Sequence, residues 1–165
     1  MPTYKKVIFL DIDGVLILIG KNSIIKDFIK MIFYKILSFL NILYKKRSLN
    51  RGCVKRLKKI VEKHKAVIIL SATMRVLDNW EERIFQDFKK AGWKNPPIIG
   101  RTPNMGNKRG KEIKAWLDKN TVESFIIIED EEELLEEQLP FTIRTHGFTG
   151  GFKKEHTNQI EEIWK

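Results

Sequence analysis

Short apolar runs alternate along the chain with longer stretches whose apolar residues recur at helical spacing. The apolar runs are rich in Val and Ile, and each ends in polar residues or Gly: Lys6–Asp13, Ala66–Ala72, Pro97–Thr102 and Ser124–Asp130. Continuous apolar runs of this length are typical of strands that are buried on both faces of a parallel sheet. Phe141–His146 is a candidate fifth strand.

The stretches between these runs each present one apolar face, as amphipathic helices do. Their apolar positions are Val54, Leu57, Ile60 and Val61 in the first, Trp80, Ile84 and Phe88 in the second, and Ile113, Trp116 and Leu117 in the third. Lys153–Trp164 is predicted to form a closing helix. This alternation predicts an α/β fold, a Rossmann-like three-layer sandwich around a mostly parallel five-stranded sheet. We expect residues 1–165 to form one domain, since 165 residues suit a single core.

An apolar stretch after the first predicted strand interrupts the alternation. Ser23–Tyr44 has helical spacing and is about long enough to cross a bilayer, but four charged side chains within it would be costly in hydrocarbon. We therefore expect residues 17–50 to form a helical insert that covers the strand ends as a cap or lid. A helix of residues 23–44 that binds a membrane surface or a partner is the second interpretation.

Two aspartates end the first predicted strand. Asp11 and Asp13 are two residues apart, so their side chains leave the backbone on the same side, and Gly14 then permits a sharp turn. Two carboxylates this close repel each other unless a hard divalent cation such as Mg²⁺, bound through oxygen, neutralises them. Asp11 can then attack a phosphorus atom, while Asp13 protonates the leaving oxygen and afterwards activates water. Open α/β sheets bind their ligands at this carboxyl edge.

The residues around this pair resemble the first motif of the haloacid dehalogenase (HAD) superfamily, an apolar strand followed by DxDG. In this chain the motif runs from Ile8 to Val15. The resemblance implies an Mg²⁺-dependent phosphatase, a phosphomonoester hydrolase in which Asp11 carries the phosphoryl group and Asp13 is its acid/base partner. Three further motifs should then follow in order.

The second and third motifs have counterparts in the expected order. The second is an apolar strand ending in Ser or Thr; Ala66–Ser71 matches it, which implies that Ser71 holds a phosphate oxygen. The third is a Lys at the start of the helix that precedes the last catalytic strand, and Lys108, Arg109 and Lys111 are three cations in that region. We favour Lys108 by its spacing from the apolar face that follows, with Arg109 next and Lys111 as a surface charge.

The fourth motif is a strand ending in two acids, and Phe125–Asp130 matches it. The resemblance implies that Asp130 binds the metal together with the two aspartates of the first motif, and that Glu129 orients the third-motif cation. Glu131–Glu133 and Glu136–Glu137 are expected to form a solvated acidic helix start, because acids stabilise a helix N-terminus.

Four segments are more closely similar to the HAD domains of Swiss Army Knife RNA repair proteins. They are LSATMR at Leu70–Arg75, IIGRTP at Ile98–Pro103, RGKEIKAWL at Arg109–Leu117 and GFTGG at Gly147–Gly151. The similarity implies removal of a terminal phosphate from RNA or DNA during end repair, with Arg75 among the phosphate-binding residues. The chain departs from that group at Ala72–Met74, where Ser-Thr-Trp is expected, and in the apolar insert.

Charge and cysteine content limit the possible partners and the cellular compartment of the protein. The formal net charge is +10, and basic residues cluster within 45–47, 55–59 and 108–111. Such a surface attracts polyanions, and a merely solubilising role is the alternative. The single cysteine, Cys53, excludes an intrachain disulfide and a CxxC zinc site. Since no signal-peptide cleavage pattern follows the first residues, we expect a cytoplasmic protein.

Two other functions share parts of this pattern. A receiver domain of two-component signalling also sets acids, a Ser or Thr and a Lys around Mg²⁺, but its phosphorylated Asp ends the middle strand, where this chain has Ser71. The other is a HAD-like module without catalytic activity that binds nucleic acid through its basic faces. Intact Asp11 and Asp13 argue against it.

Overall fold

The computed structural model describes residues 3–18, 48–106 and 108–165. Most of the predicted insert at 17–50, including the apolar stretch 23–44, lies outside the described residues. Within the described ranges the predicted α/β fold is confirmed, with a five-stranded sheet and helices on both faces. None of the helices in these ranges is long and apolar enough to cross a membrane.

The sheet is parallel throughout. Its strands are β1 (Thr3–Leu10), β2 (Val67–Leu70), β3 (Ile98–Arg101), β4 (Thr121–Glu129) and β5 (Thr142–Arg144). Their order is β3-β2-β1-β4-β5, so β1 lies at the centre. The predicted first strand extends to Asp13, but the observed strand ends at Leu10 and Asp11 begins the loop. The two aspartates therefore leave from the middle of the carboxyl edge.

Helices cover the two faces of the sheet unequally. The α-helices of the described ranges are α1 (Arg51–His64), α2 (Trp80–Lys90), α3 (Arg109–Leu117) and α4 (Lys154–Ile163). One core cluster joins the apolar faces of α1, α2 and α4 to the sheet through residues such as Leu57, Phe88 and Ile160. A smaller cluster joins α3, through Ile113, to the opposite face.

Side-chain alternation along the strands separates these two cores. Leu10 and its register partners Leu70 and Ile128 belong to the larger cluster. The residues one position earlier in each strand, Phe9, Ile69 and Ile127, belong to the cluster under α3. Because side chains alternate, the residues that follow Leu10, Leu70 and Ile128 must again point to the α3 side.

Four polar residues occupy that next position across the carboxyl ends of the strands. Asp11, Ser71 and Thr102 directly follow β1, β2 and β3, and each donates its backbone N–H to a carbonyl at the end of the neighbouring strand, at 2.9 to 3.0 Å. Glu129, the last residue of β4, is level with Asp11 because Leu10 pairs with Ile128. These four residues, the strand-end row, are all buried.

Candidate active site

Asp11 lies near the middle of the strand-end row and is buried, with 4% of its surface exposed. Asp13 is half-buried on the following turn, in an isolated parallel bridge with Ile17. Gly14 has a φ of 75°, and a Cβ added to it would collide with the carboxylate of Asp130. Glycine is therefore needed here both for the left-handed backbone and for the close approach of Asp130 to the turn.

Three carboxylates crowd this end of the sheet. Ligand oxygens of Asp11, Glu129 and Asp130 lie within 4.8 Å of one another. Burial, reinforced by Glu129, raises the pKa of Asp11 well above its usual value, and burial raises the pKa of Glu129 to about 7. Burial also raises the pKa of Asp130. Such a group is costly to keep ionised without a cation, and its oxygen donors suit Mg²⁺.

The structure brings together only two of the three aspartates that were predicted to bind the metal. Asp11 and Asp130 belong to the three-carboxylate group, whereas Asp13 lies outside it. Glu129, predicted to orient a cation, lies inside it. Glu129 makes a closer ion pair with Arg109, at 2.8 Å, than Asp11 does, at 3.4 Å, so Asp11 and Asp130 have the carboxylates best able to serve a metal ion.

Among the described residues, Arg109 is the cation that faces these carboxylates. Its Nη2 is 3.4 Å from Oδ1 of Asp11, and its Nε is 2.8 Å from Oε2 of Glu129 in an ion pair. Sequence spacing favours Lys108, but Lys108 is exposed at the N-terminal boundary of α3, and Lys111 is exposed as well. Glu129 therefore orients Arg109, which is 5% exposed, rather than Lys108.

Contacts with a neighbouring loop hold the first turn of α3. The Gly110 N–H donates to the carbonyl of Glu133 at 2.9 Å, and Nε2 of Gln138 donates to the Gly110 carbonyl at 2.9 Å. A Cβ on Gly110 would lie 2.7 Å from the backbone nitrogen of Leu135, so glycine allows the loop to pack directly on the helix. This anchor sits one residue after Arg109 and fixes where its side chain enters the site.

Two hydroxyl groups in the strand-end row are buried, and each lacks a hydrogen-bond partner among the described residues. They belong to Ser71, which is 0% exposed, and Thr102, which is 2% exposed. A buried hydroxyl without a partner loses the hydrogen bond that water would provide, a cost that a ligand oxygen can remove. Ser71 was predicted to hold phosphate; Thr102 was missed, because a Thr after a short edge strand carries no distinctive sequence signal.

Arg75 was expected among the phosphate-binding residues, but its guanidinium is turned toward protein groups. Only 1% of it is exposed. Its Nη1 donates to the carbonyls of Ser71 and Ala72 at 2.8 and 3.0 Å, and its Nη2 donates to the carboxylate of Glu112. Desolvation by burial, followed by the nearby Arg109, lowers the pKa of Arg75. Glu112 itself was not singled out from the sequence.

A cleft of about 430 Å³ opens beside the site, lined by Thr73, Arg109, Asp130 and Glu131–Glu133. The expected helix start is confirmed for Glu136 and Glu137, which lie in the first turn of a 3₁₀ helix, but it is wrong for Glu131–Glu133, which lie in an irregular segment before that helix. The segment is held in place by its backbone, since Arg144 donates to the carbonyl of Glu131. The three acids consequently form one wall of the cleft.

Strand order, the acid pair after the central strand and the two acids after its neighbour together define a HAD-type domain, which is a hydrolase and phosphatase fold. A family model described as the HAD domain in Swiss Army Knife RNA repair proteins matches residues 7–157, and the chain belongs to this family. The resemblance read from the sequence segments is thereby confirmed. Comparisons with curated proteins and with solved structures give no match.

Proposed function

We propose that this protein is an Mg²⁺-dependent phosphomonoester hydrolase that removes phosphate from the ends of RNA or DNA through an aspartyl-phosphate on Asp11. The observation that carries the proposal is the setting of Asp11. It is a buried carboxylate at the end of the central strand, with Arg109 at 3.4 Å and an acid cluster that calls for a cation.

In the first half of the reaction, a carboxylate oxygen of Asp11 attacks the phosphorus atom of the ester. A bond from that oxygen to phosphorus forms, and the bond from phosphorus to the ester oxygen breaks. Asp13 donates a proton to the departing oxygen, which leaves as an alcohol. Arg109 and the unpartnered hydroxyl of Ser71 are positioned to bind the phosphoryl oxygens as negative charge develops on them.

In the second half, Asp13, now a carboxylate, accepts a proton from water as that water attacks the phosphorus atom. The bond between phosphorus and the Asp11 oxygen breaks, so the carboxylate of Asp11 is restored and inorganic phosphate leaves. Asp13 suits this alternating role because it is half-buried, whereas Asp11 is nearly inaccessible to bulk water. Two separate acids are needed because one carboxylate cannot be nucleophile and proton donor at once.

The residues of the site fit a magnesium ion. Asp11 and Asp130 would hold it, with Asp13 beside them as the sequence predicts, while Glu129 remains paired with Arg109. Bound there, Mg²⁺ would offset the charge of the carboxylates and of the phosphoryl group. The raised pKa values of Asp11 and Asp130 support this assignment, since they reflect carboxylates buried without enough positive charge.

The polynucleotide substrate rests on two further observations. The family to which the chain belongs is described by its occurrence in RNA repair proteins. The net charge of +10 also favours a polyanion, because it raises the local concentration of such partners. A terminal phosphate, unlike an internal phosphodiester, supplies the phosphomonoester that the proposed chemistry requires.

The test is phosphate release from a panel of substrates, measured with Mg²⁺ and with chelator. The panel contains an aryl phosphate, mononucleotides, and RNA and DNA oligonucleotides phosphorylated at the 3′ or the 5′ end, with Asp11→Asn as the control. Mg²⁺-dependent release that favours oligonucleotide ends supports the whole proposal. Release from small esters alone would limit it to a general phosphatase. Nucleic-acid binding without any turnover would favour the catalytically idle module.

A further inference from the structure

Glu112 is a buried acid for which the proposed reaction has no use. It lies on the first turn of α3 and is 0% exposed. Its Oε1 accepts a hydrogen bond from the Met105 N–H at 2.9 Å. Its Oε2 accepts from Nη2 of Arg75 and lies 3.7 Å from Nη1 of Arg109. An ionised carboxylate is kept at such a site only when it is paired, and here it stands between two guanidinium groups.

Arg75 connects this acid to the loop after β2. Its Nη1 holds the carbonyls of Ser71 and Ala72, at 2.8 and 3.0 Å, so it constrains the backbone on which the Ser71 hydroxyl is carried. The backbone of Arg75 is held in turn, since Arg101 donates to its carbonyl. With 1% of its surface exposed and both terminal nitrogens engaged, Arg75 reaches phosphate only if this arrangement is broken.

We propose that Glu112 and Arg75 are a positioning pair, which sets Ser71 and Arg109 in place around Asp11 without touching the substrate. This inference rests on the proposed phosphatase function. The contacts form one continuous path from the Ser71 carbonyl through Arg75 and Glu112 to Arg109, which in turn faces Asp11 and Glu129. Helix α3 and the loop after β2 are thereby locked to each other at the level of the reacting carboxylate.

The charges explain why both members are needed. Arg75 and Arg109 repel each other, and Glu112 is the anion between them. Loss of its charge leaves two buried guanidinium groups facing each other with less compensation, so Arg109 should move away from Asp11. A displacement of about 1 Å in a catalytic group can cost about 10²-fold in rate. The loss should fall on kcat, because neither residue contributes to binding the substrate directly.

The experiment compares Glu112→Gln, Arg75→Lys and the double variant with Glu123→Gln, a matched change at an exposed position of β4. Values of kcat and KM for an aryl phosphate, and the inhibition constant of inorganic phosphate, are measured below the melting temperature of each variant. Each single variant should lose about 10²-fold in kcat, with KM and phosphate inhibition changed far less. The double variant should be no slower than the slower single variant, because both changes break one network.

A second readout does not depend on turnover. The Arg109 Nε–H signal, identified in ¹⁵N NMR spectra by its disappearance in Arg109→Lys, should shift or broaden in Glu112→Gln and Arg75→Lys but not in Glu123→Gln. If the unaltered protein releases no phosphate, the proposed function fails while this signal still tests the positioning pair. If Glu112→Gln does not fold, Glu112→Asp replaces it; this variant keeps the charge but is one methylene shorter, so it should weaken the contacts with Arg75 and Arg109 and still shift the signal.

Three results would overturn the inference. One is an Arg109 signal that is the same in all variants. Another is additive loss of kcat in the double variant. The third is a rise in KM and in the inhibition constant of phosphate for Arg75→Lys while Glu112→Gln behaves like the unaltered protein, since Arg75 would then bind phosphate itself.

Discussion

The two faces of the sheet are stabilised by different means. The face covered by α1, α2 and α4 is a broad apolar layer, in which Leu57, Phe88 and Ile160 are fully buried. In the described ranges the opposite face has α3 as its only α-helix, with Phe9 and Trp116 in edge-to-face contact at 5.4 Å. At the carboxyl ends of the strands, buried charged side chains replace apolar contacts on this second face. Stability and chemistry are therefore assigned largely to opposite sides of one sheet.

This division has a physical reason. Hydrophobic burial tolerates small adjustments and gives free energy in proportion to area, whereas buried ion pairs demand fixed partners and give little net stability. The free energy gained from the broad apolar face can therefore offset the cost of burying charges on the other face. We therefore predict that substitutions in the apolar face under α1, α2 and α4 change stability without changing catalysis. Substitutions in the strand-end row should change catalysis without lowering stability.

Asp11→Asn should have the largest effect. Phosphate release should fall by more than about 10⁴-fold, because the nucleophile is lost. Thermal stability should stay equal or rise, because burial raises the pKa of Asp11 and so opposes its charged form. Kinetics and melting curves on the same preparation check both parts. A variant that keeps appreciable turnover would remove Asp11 from the mechanism.

Phe88→Ala should show the opposite behaviour. Phe88 is fully buried on α2 and packs edge-to-face on Trp93 at 5.5 Å, so its truncation should cost about 3–5 kcal/mol in the free energy of unfolding. The kcat of the folded fraction should be unchanged. Ile113→Ala on α3 is the matched variant. It should cost about 2–5 kcal/mol and also lower kcat, because α3 carries Arg109. Denaturant titration with kinetics separates these cases, and equal kcat losses would contradict the division.

Stability of the metal-free protein should depend on pH through the crowded acids. Burial raises the pKa of Glu129 from 4.5 to about 7 in the folded state, so its contribution is fully present below pH 4.5 and is lost as the pH rises through about 7. The change is at most about 3 kcal/mol. Added Mg²⁺ should raise the melting temperature more at about pH 8 than at about pH 5. Glu129→Gln should flatten the dependence of stability on pH in the metal-free protein. An equally steep dependence in that variant would mean that other groups cause it.

Arg109→Lys and Lys108→Ala test which cation serves the site. Arg109→Lys should lower kcat by about 10²-fold, since a lysine cannot keep the contacts with Asp11 and Glu129 together. Lys108→Ala should change kcat at most a few-fold, because Lys108 is exposed. Steady-state kinetics on one aryl phosphate decide between them. The reverse order of effects would restore the assignment that sequence spacing favours.

Replacing Glu131, Glu132 and Glu133 together by Gln should have the smallest effect. These acids line the cleft and repel an anionic substrate, so the triple variant should raise kcat/KM a few-fold at low salt and not at high salt. The segment should keep its place, because Gly110 and Arg144 bind its backbone carbonyls rather than its side chains. Measurement across a salt series is the check, and a salt-independent change would point to altered structure.

Much of the fold could be predicted from the sequence because its signals are local. Each observed strand overlaps an apolar run, α1 to α3 follow the predicted apolar faces, and α4 lies within the predicted closing helix. The strand ends were less accurate: the predicted first strand included Asp11 and Asp13, which lie beyond its last residue. Apolar pattern alone does not mark the point where a buried strand becomes a buried loop. The cap or lid predicted for 17–50 stays a prediction, as most of it lies outside the described residues.

The site was predictable to the extent that its residues are marked by strand ends. Asp11 follows from the acid pair that ends the first apolar run, and the family resemblance implies Ser71 and Glu129 at the ends of two more; parallel strands bring those ends to one edge. Arg109 and Lys108 could not be ranked in this way. Neighbouring positions on a helix differ by about 100° in direction, so the first residue of α3 decides which cation faces Asp11. Contacts of Gly110 with a distant loop set that start.

By itself, the sequence determined the α/β class, the family and the residue proposed as nucleophile, because the apolar periodicity, the strand ends and the DxDG pattern are all visible in short stretches of consecutive residues. Only the tertiary structure decided that Arg109 pairs with Glu129, that Arg75 turns inward and that Glu112 joins the two arginines. Arg75 and Glu112 are separated by 37 positions, yet their side chains share a hydrogen bond in the interior. The free energy of such a contact depends on burial and on neighbouring charges, and both exist only once the chain has folded.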